Sequence, residues 1–596
     1  MGDGVQGQAG VLRVDRVGDV AVIALCHPPV NTLSAAVLRA LNVAIREAVD
    51  DPEIAAIILC GDGKGFSAGA DLTEHGHPSP EVRLGDLCLL IENAPKPVIA
   101  ALHGAAVGGG LELAMAAHYR IAAAKTYLGL PEVGFGLVSA AGGTQRLPRL
   151  IGAPDALRLL LSGLPIQAPE AMALGLVDRV VETGLQEAAL SMAGEGLPPR
   201  RTVDRRTGFK DIRGYLEAVR VARAEQVGNR LPAPGRIIDC VEAAAVLTLE
   251  QGLHVEAAAL SDLSQTPQAA GLRYAFFAER RAALPPAAVA AKGMPKVATL
   301  GLWGLGGMAC DLAFQALSAG LRVVWADPDR PALIAALEWV AARQEQAVVA
   351  RQMTEEGRDA DWARLVTGNA PEALAGVDMV LTAGDTGPEG AIGLGTAQGA
   401  GNQVAIAVPA AMGELAEVSM TPGAGPEAVA QALALARRLG WRVVFSGPGG
   451  PIELALRQAL AGAVAHLEAA GTPRSEVTAA LAAYGIGSGP TSFLPPSPKG
   501  GLQTVSRCLS AMAAEGTRML QDGRARRPLD IDAVALLSGL MPRWEGGPMY
   551  QADQRGLLVL RRDLQALAVQ AEVFDPAPLL DDLIAEGQGF GSLNGV

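Results

Sequence analysis

Along the first 180 or so residues, short apolar runs alternate with stretches whose apolar residues recur every three or four positions. "VAVIALCHP" predicts a strand, and "AAVLRALNVAIREAVDD" places Leu38, Leu41 and Ile45 on one helical face. "IAAIILCGDG" and "PVIAALHG" predict buried strands, and "GGGLELAMAA" predicts a helix opening after a glycine turn. Short connections between alternating elements imply an α/β domain over 1–193. From about Leu197 to Pro295 the pattern turns helical, with Pro- and Arg-rich interruptions. "GLRYAFFAERRAA" predicts one amphipathic helix there, and "ALPPAAVAAKGMPK" reads as a linker, so 194–296 forms a helical connecting segment. A second α/β unit occupies 297–447, with predicted strands in "VATLGLW", "RVVWAD", "VDMVLTAG", "QVAIAVP" and "GWRVVFSG". The remainder, 448–596, is mostly helical and is broken by "SFLPPSPKGG".

Composition narrows the class. A chain of 596 residues predicts about three to five domains. Half of its residues are hydrophobic and 19% are charged, which supports several cores and argues against wholesale disorder. A net charge of −13 disfavours a nucleic-acid partner. Cys26, Cys60, Cys88, Cys240, Cys310 and Cys508 form no CxxC pair, which points to reduced thiols in a cytosolic protein and to no metal site. The opening "MGDGVQGQAG" lacks the pattern of a signal peptide. The most apolar stretch, Pro97 to Ala124, contains His103, Glu112, His118 and Arg120, which favours a core over a membrane span.

Candidate chemistry gathers in three stretches: "GFSAGADL" (Gly65–Leu72), "HGAAVGGGLELA" (His103–Ala114) and "LPEVGFG" (Leu130–Gly136). Gly69 permits a tight turn that would aim the Ala70 amide into a cleft. Gly108, Gly109 and Gly110 let a ligand approach backbone just ahead of a helix, where free N–H groups attract negative charge. Two such amides suit a developing oxyanion. Glu112 lies near the start of that helix and Glu132 follows Pro131. Two carboxylates around one water supply a base and an acid once burial moves their pKa values toward neutrality. Each stretch alone is an ordinary turn or a solvated acid; their order and spacing together are what point to chemistry.

From about Val11 to Val181 the chain resembles the crotonase superfamily. "HPPVNTLS", "SAGADL", "GGGLELA", "LPEVGFG" and "GGTQRLPR" are similar to the enoyl-CoA hydratases within it. The resemblance implies a spiral crotonase-like α/β domain, with oxyanion-hole amides from Ala70 and Gly109 and catalytic carboxylates Glu112 and Glu132. It also implies a coenzyme A adenine contact around Ala68 and Gly69. Coenzyme A would enter as part of the substrate, with no cofactor required for hydration. Two departures stand out. Ala140 in "SAAGG" replaces a family glycine, and Thr73 stands where hydratases often place a lysine toward the CoA phosphate. Lys64, Arg280 and Arg281 are candidate replacements for that charge. The volume of the acyl pocket would depend on how Leu87, Leu90, Phe135 and the predicted helix of "GLRYAFFAERRAA" pack.

In the second α/β unit, Gly304, Gly306 and Ala309 form GxGxxA between a predicted strand and helix, and Asp327 ends the next strand. This is the outline of a Rossmann-like dinucleotide fold, and it supports the fold more than it supports NAD binding. Asp311, inside the helix, would repel a pyrophosphate. With "GLRYAFFAERRA" and "RPLDIDAVALLSGLMPRWEGGPM", the resemblance widens to the multifunctional enzymes of fatty-acid β-oxidation. These fuse a hydratase/isomerase to a 3-hydroxyacyl-CoA dehydrogenase and carry a bridging helix at "YAFFAE". Their dehydrogenase half needs a serine, a histidine with a paired glutamate, and an asparagine. None is found at the expected places: "AIAVPAAMGE" replaces the histidine segment, "GPIELALRQA" the asparagine region, and the chain has no histidine between His254 and His466. The expectation is hydration of trans-2-enoyl-CoA by a monomeric protein with an inactive dehydrogenase half. Alternatives are a full bifunctional enzyme, a Δ3-Δ2-enoyl-CoA isomerase in the same site, or a non-catalytic acyl-CoA or NAD sensor.

Overall fold

The computed structural model describes residues 10–71, 74, 81–290, 293–383, 388, 390–395, 404–408, 415–487 and 491–595. Thr73, the first nine residues and the 409–414 part of "AIAVPAAMGE" therefore lie outside the described residues. The chain divides into two compact units between Ala270 and Gly271.

The first unit is built on a six-stranded sheet. Its strands are β1 (Leu12–Val17), β2 (Val20–Leu25), β3 (Ala56–Gly61), β4 (Val98–Leu102), β6 (Tyr119–Ala123) and β9 (Arg179–Val181), in the order β1-β2-β3-β4-β6-β9. Only the β1–β2 hairpin is antiparallel. β2, β4 and most of β3 are fully buried, which explains their continuous apolar runs. A small second sheet, β5 (Ala105–Val107), β7 (Tyr127–Gly129) and β8 (Ile166–Gln167), lies at the turns that carry the candidate chemistry. The helix Ala35–Asp50 packs Leu38, Leu41 and Ile45 into the core, as its spacing predicts. Helices Ile212–Glu225, Pro232–Val246 and Leu249–Ser264 complete this unit, so most of the 194–296 segment folds with the hydratase-like domain.

The division falls inside the helix Pro267–Ala282. From Gly271 onward this helix is embedded in the second unit. The Tyr274 hydroxyl donates to buried Asp532, and Glu279 pairs with both Arg442 and Arg543.

The second unit contains an eight-stranded sheet. Its strands are β10 (Thr299–Trp303), β11 (Arg322–Ala326), β12 (Leu365–Gly368), β13 (Met379–Thr382), β14 (Ile392–Leu394), β15 (Val404–Ala407), β16 (Leu415–Met420) and β17 (Arg442–Ser446). The order β12-β11-β10-β13-β14-β15-β16-β17 is parallel except at β15–β16. This is a doubly wound, Rossmann-like arrangement with its switch point beside β10. The strands β12, β14 and β16 were absent from the predicted set. The first two are four and three residues long, and β16 holds a glutamate, so none shows a long apolar run. Residues after Gly450 form helices around a separate core that includes Met512, Ile531 and Leu564. Among the described residues, no helix is long and apolar enough to cross a membrane.

Candidate active site

The predicted oxyanion donors meet. Segment 65–67 runs beside 103–107: the Phe66 amide donates to the His103 carbonyl, the Ser67 amide to Ala105, and the Val107 amide to Ser67. Ser67 Oγ donates to the Asn31 carbonyl at 2.7 Å and accepts from the Gly69 amide at 3.1 Å, which fixes the turn. Gly69 holds φ +85°, and a methyl group there would stand 2.8 Å from the Val107 carbonyl oxygen. Only glycine fits this position. A methyl group on Gly109 would lie 3.5 Å from the Ala70 nitrogen, and one on Gly69 would lie 3.0 Å from the Gly109 nitrogen. The two amides therefore border one small space. Neither enters a backbone hydrogen bond among the described residues. Gly109 opens the helix Gly109–Ala116, whose unsatisfied first-turn amides add positive potential.

Both predicted carboxylates converge on this turn. Glu112, in the first turn of that helix, is 1% exposed. Its Oε1 accepts from the Ala141 and Gly143 amides, each at 2.7 Å. Burial raises its pKa, opposed by those amides, by Arg146 and by the Ala140 amide. Ala140 keeps an ordinary backbone conformation, so its amide faces Glu112 despite the missing glycine. Glu132 sits in the 3-10 turn Pro131–Phe135, just past the end of β7. Its Oε2 is buried without a hydrogen-bond partner, and a methyl group on Gly108 would come within 3.2 Å of Oε1. Burial, and then the charge of Glu112, push the Glu132 carboxyl up to about 8. The two acids thus differ in kind: one is held by backbone donors, the other is nearly bare.

A third acid, which the sequence reading missed, completes the cluster. Glu256, on the helix Leu249–Ser264, is 1% exposed. It accepts from the Gly142 amide at 2.6 Å, the Thr144 amide at 2.9 Å and the Thr144 hydroxyl. Burial and the charge of Glu112 raise its carboxyl to about 8. Beneath the loop, Arg146 and Glu92 form a fully buried ion pair at 2.8 Å, and Arg146 also donates to the Ala141 carbonyl. The signal was in the letters: "QGLHVE" puts Gly252 and Glu256 four apart on one helical face. A single acid in a helical segment does not stand out without the loop it meets.

Other site predictions fare unevenly. Ala68 and Lys64 are exposed near the turn, and the Ala68 amide donates to the Val30 carbonyl. Arg280 lies in the second unit and stacks on Phe276 at 4.6 Å. Leu87 is fully buried, while Leu90 and Phe135 are half-buried. In the second unit, Gly304 (φ +88°) and Gly306 (φ +149°) form the turn from β10 into the helix Gly307–Ser318, and Ala309 is buried on that helix. Asp327 follows β11 and spends Oδ1 on the Asp329 amide. His466 packs edge-on against Phe574 at 5.2 Å, with Nε2 buried and unpartnered, which fits a core histidine. Glu417 on β16 is a buried acid standing opposite Ala407 of β15. It accepts from the Ile452 and Glu453 amides at 2.6 and 2.9 Å, so it caps the helix Ile452–Ala469. Among the described residues no cluster of three potential metal ligands occurs.

These features define the class. Residues 15–200 match the enoyl-CoA hydratase/isomerase family model. The peroxisomal bifunctional enzyme of Danio rerio is 30% identical, across 95% of this chain and 96% of that protein. The peroxisomal bifunctional enzyme of Homo sapiens is 36% identical over 61% of this chain and 51% of its own length. The peroxisomal fatty acid beta-oxidation multifunctional protein MFP2 of Arabidopsis thaliana is 32% identical over 61% of this chain and 53% of its own length. The chain belongs to this family of multifunctional enzymes with a crotonase-type hydratase/isomerase domain, and it is an enzyme of the enoyl-CoA hydratase kind.

Proposed function

We propose that this protein adds water to trans-2-enoyl-CoA at the Glu112–Glu132 site and that its dehydrogenase-like half performs no hydride transfer. The observation that carries the first part is the unequal environment of the two acids. Backbone amides on Glu112 favour its ionised form, whereas Glu132, whose Oε2 is buried without a partner, favours its protonated form. Glu112 then removes a proton from water as the oxygen bonds to C3. The C2=C3 electron pair moves toward the thioester, whose oxygen takes hydrogen bonds from the Ala70 and Gly109 amides. Glu132 delivers its proton to C2, and both new bonds form on the face that carries the acids. Proton exchange between the acids restores the starting state. Oxyanion donors of this kind contribute about a hundred- to thousandfold each.

The second part rests on the residues of the Rossmann-like unit. Hydride transfer from a hydroxyl needs a base for its proton. The chain has no histidine from 255 to 465, and His466 sits against Phe574. Glu417 is engaged as a helix cap. The glycine turn and Asp327 fit a dinucleotide fold, and we read this unit as a scaffold. Six free cysteines support a reducing, cytosolic setting in this reading.

An assay panel tests both parts. Crotonyl-CoA and longer 2-enoyl-CoAs should lose their enoyl absorbance, and 3-hydroxyacyl-CoA with NAD should yield no NADH. Robust NADH formation would overturn the scaffold reading. Conversion of a 3-enoyl-CoA without hydration of the 2-enoyl ester would replace hydratase by isomerase.

A further inference from the structure

We infer that Glu256, supplied by the helix Leu249–Ser264, is a positioning residue for hydration that acts on Glu112 through the loop 140–144. This inference rests on the hydratase reading above. The loop's successive amides alternate between two acids: Ala141 and Gly143 donate to Glu112, whereas Gly142 and Thr144 donate to Glu256. The helix Gly143–Ile151 thus starts on two distant carboxylates, since its own N-cap, Gly142, offers no side chain. Neither set of bonds can shift without moving the other, because they share one run of backbone.

Close docking makes this possible. A methyl group on Gly252 would stand 2.0 Å from Gln145 Oε1, so any side chain at 252 would displace the Gln145 amide that links this helix to the loop. Gln145 in turn donates to the Thr144 hydroxyl and to the Cys240 carbonyl, tying the loop to the helix Pro232–Val246.

Electrostatics adds a second coupling. The groups that face Glu256 are Glu112, Glu132, Arg146, Cys88 and Cys240. Arg146 is already paired with Glu92. Glu112, Glu132 and Glu256 thus share an interior in which the one facing cation is spoken for, and each negative charge raises the others' affinity for a proton. Negative charge on Glu256, which develops as pH rises through about 8, raises the proton affinity of Glu132 and moves the alkaline limb of the rate profile upward. Its loss moves that limb downward.

The test uses the full chain and a 2-enoyl-CoA. Glu256→Gln should lower kcat about tenfold at nearly constant KM. It should also move the alkaline limb of kcat to lower pH by about half to one unit. Glu256→Asp, which keeps the charge but shortens the reach, should lower kcat without moving the limb. A folded Glu256→Gln protein with wild-type kcat, or with reduced kcat and an unmoved limb, overturns the inference. If Glu256→Gln fails to fold, Glu256→Asp decides: reduced kcat at constant KM supports the inference, and wild-type kcat overturns it. Glu132→Gln run in parallel separates the two readings. If it keeps its turnover, the hydratase assignment itself fails; if it is inactive while both Glu256 variants match the wild type, only the role of Glu256 fails.

Discussion

Both units of this protein bury acids at helix starts, yet they use them differently. In the second, Glu417 caps the helix Ile452–Ala469 and Asp532 receives the Met549 and Tyr550 amides together with the Tyr274 hydroxyl. Burial raises these two to about 7 and about 8. In the first, Glu112 and Glu256 also cap a helix, but beside them stand Glu132, with Oε2 unpartnered, and the amides of Ala70 and Gly109, which enter no backbone hydrogen bond among the described residues. A displaced pKa therefore does not mark a reactive centre by itself. What distinguishes the first unit is a conjunction: a buried carboxyl oxygen without a partner beside two backbone amides that have no acceptor among the described residues.

The largest expected effect comes from breaking that conjunction. Glu132→Gln should cut hydration by about two to four orders of magnitude, with binding of a CoA ester largely retained in calorimetry. Near-normal turnover would erase the contrast between the units. Gly109→Pro replaces one donor with a ring carbon at the oxyanion space and requires Leu84 to give way, since a Cβ at 109 would stand 2.7 Å from its Cδ2; it should lower kcat by at least about a hundredfold. A loss confined to KM would mean that this amide binds the ester without stabilising the oxyanion.

The pH dependence sharpens the comparison. Glu132 must be protonated to act as acid, so the rate should fall as pH rises through about 8. Stability should follow the same direction in both units. Glu417, Asp532, Glu132 and Glu256 hold folded pKa values of about 7 to about 8, above their ordinary values near 4. Their contribution is complete below about pH 4, is lost progressively as pH rises above it, and is gone once pH has passed through 7 to 8. Thermal melts should therefore show these acids' contribution to Tm declining from about pH 4 to about pH 8 and levelling off above it.

The smallest effect belongs to the second unit. Glu417→Gln should leave hydration unchanged while costing about 1–3 kcal/mol of that unit's stability, since one of its two amides loses its acceptor. Chemical denaturation with a parallel hydration assay would show it. A drop in hydration instead would assign Glu417 a role beyond capping.

How far could this be read in advance? The turn that brings the Ala70 and Gly109 amides together, and the two acids that converge on it, were visible because Gly69, the Gly108–Gly110 run, Glu112 and Glu132 fall in short segments with restricted chemistry. β2, β3 and β4 were visible because they are buried on both faces. β1, with Arg13, Asp15 and Arg16 on a half-exposed edge, carries no such run. Glu256 escaped because its meaning lies in a contact across 112 residues of chain. Glu417 escaped for a similar reason: its two partners are amides 35 and 36 residues further on, which no local pattern announces. Arg280, a candidate phosphate partner, was chosen for its charge alone, and its guanidinium lies over an aromatic ring of its own helix.

The docking of Gly252 against Gln145 has a practical consequence for anyone trimming the gene. The family match ends at residue 200, but a fragment cut there would leave the start of the Gly143–Ile151 helix without one of its two anchors. A shortened version intended to retain the water-adding chemistry must at least include the helix Leu249–Ser264, which supplies that anchor.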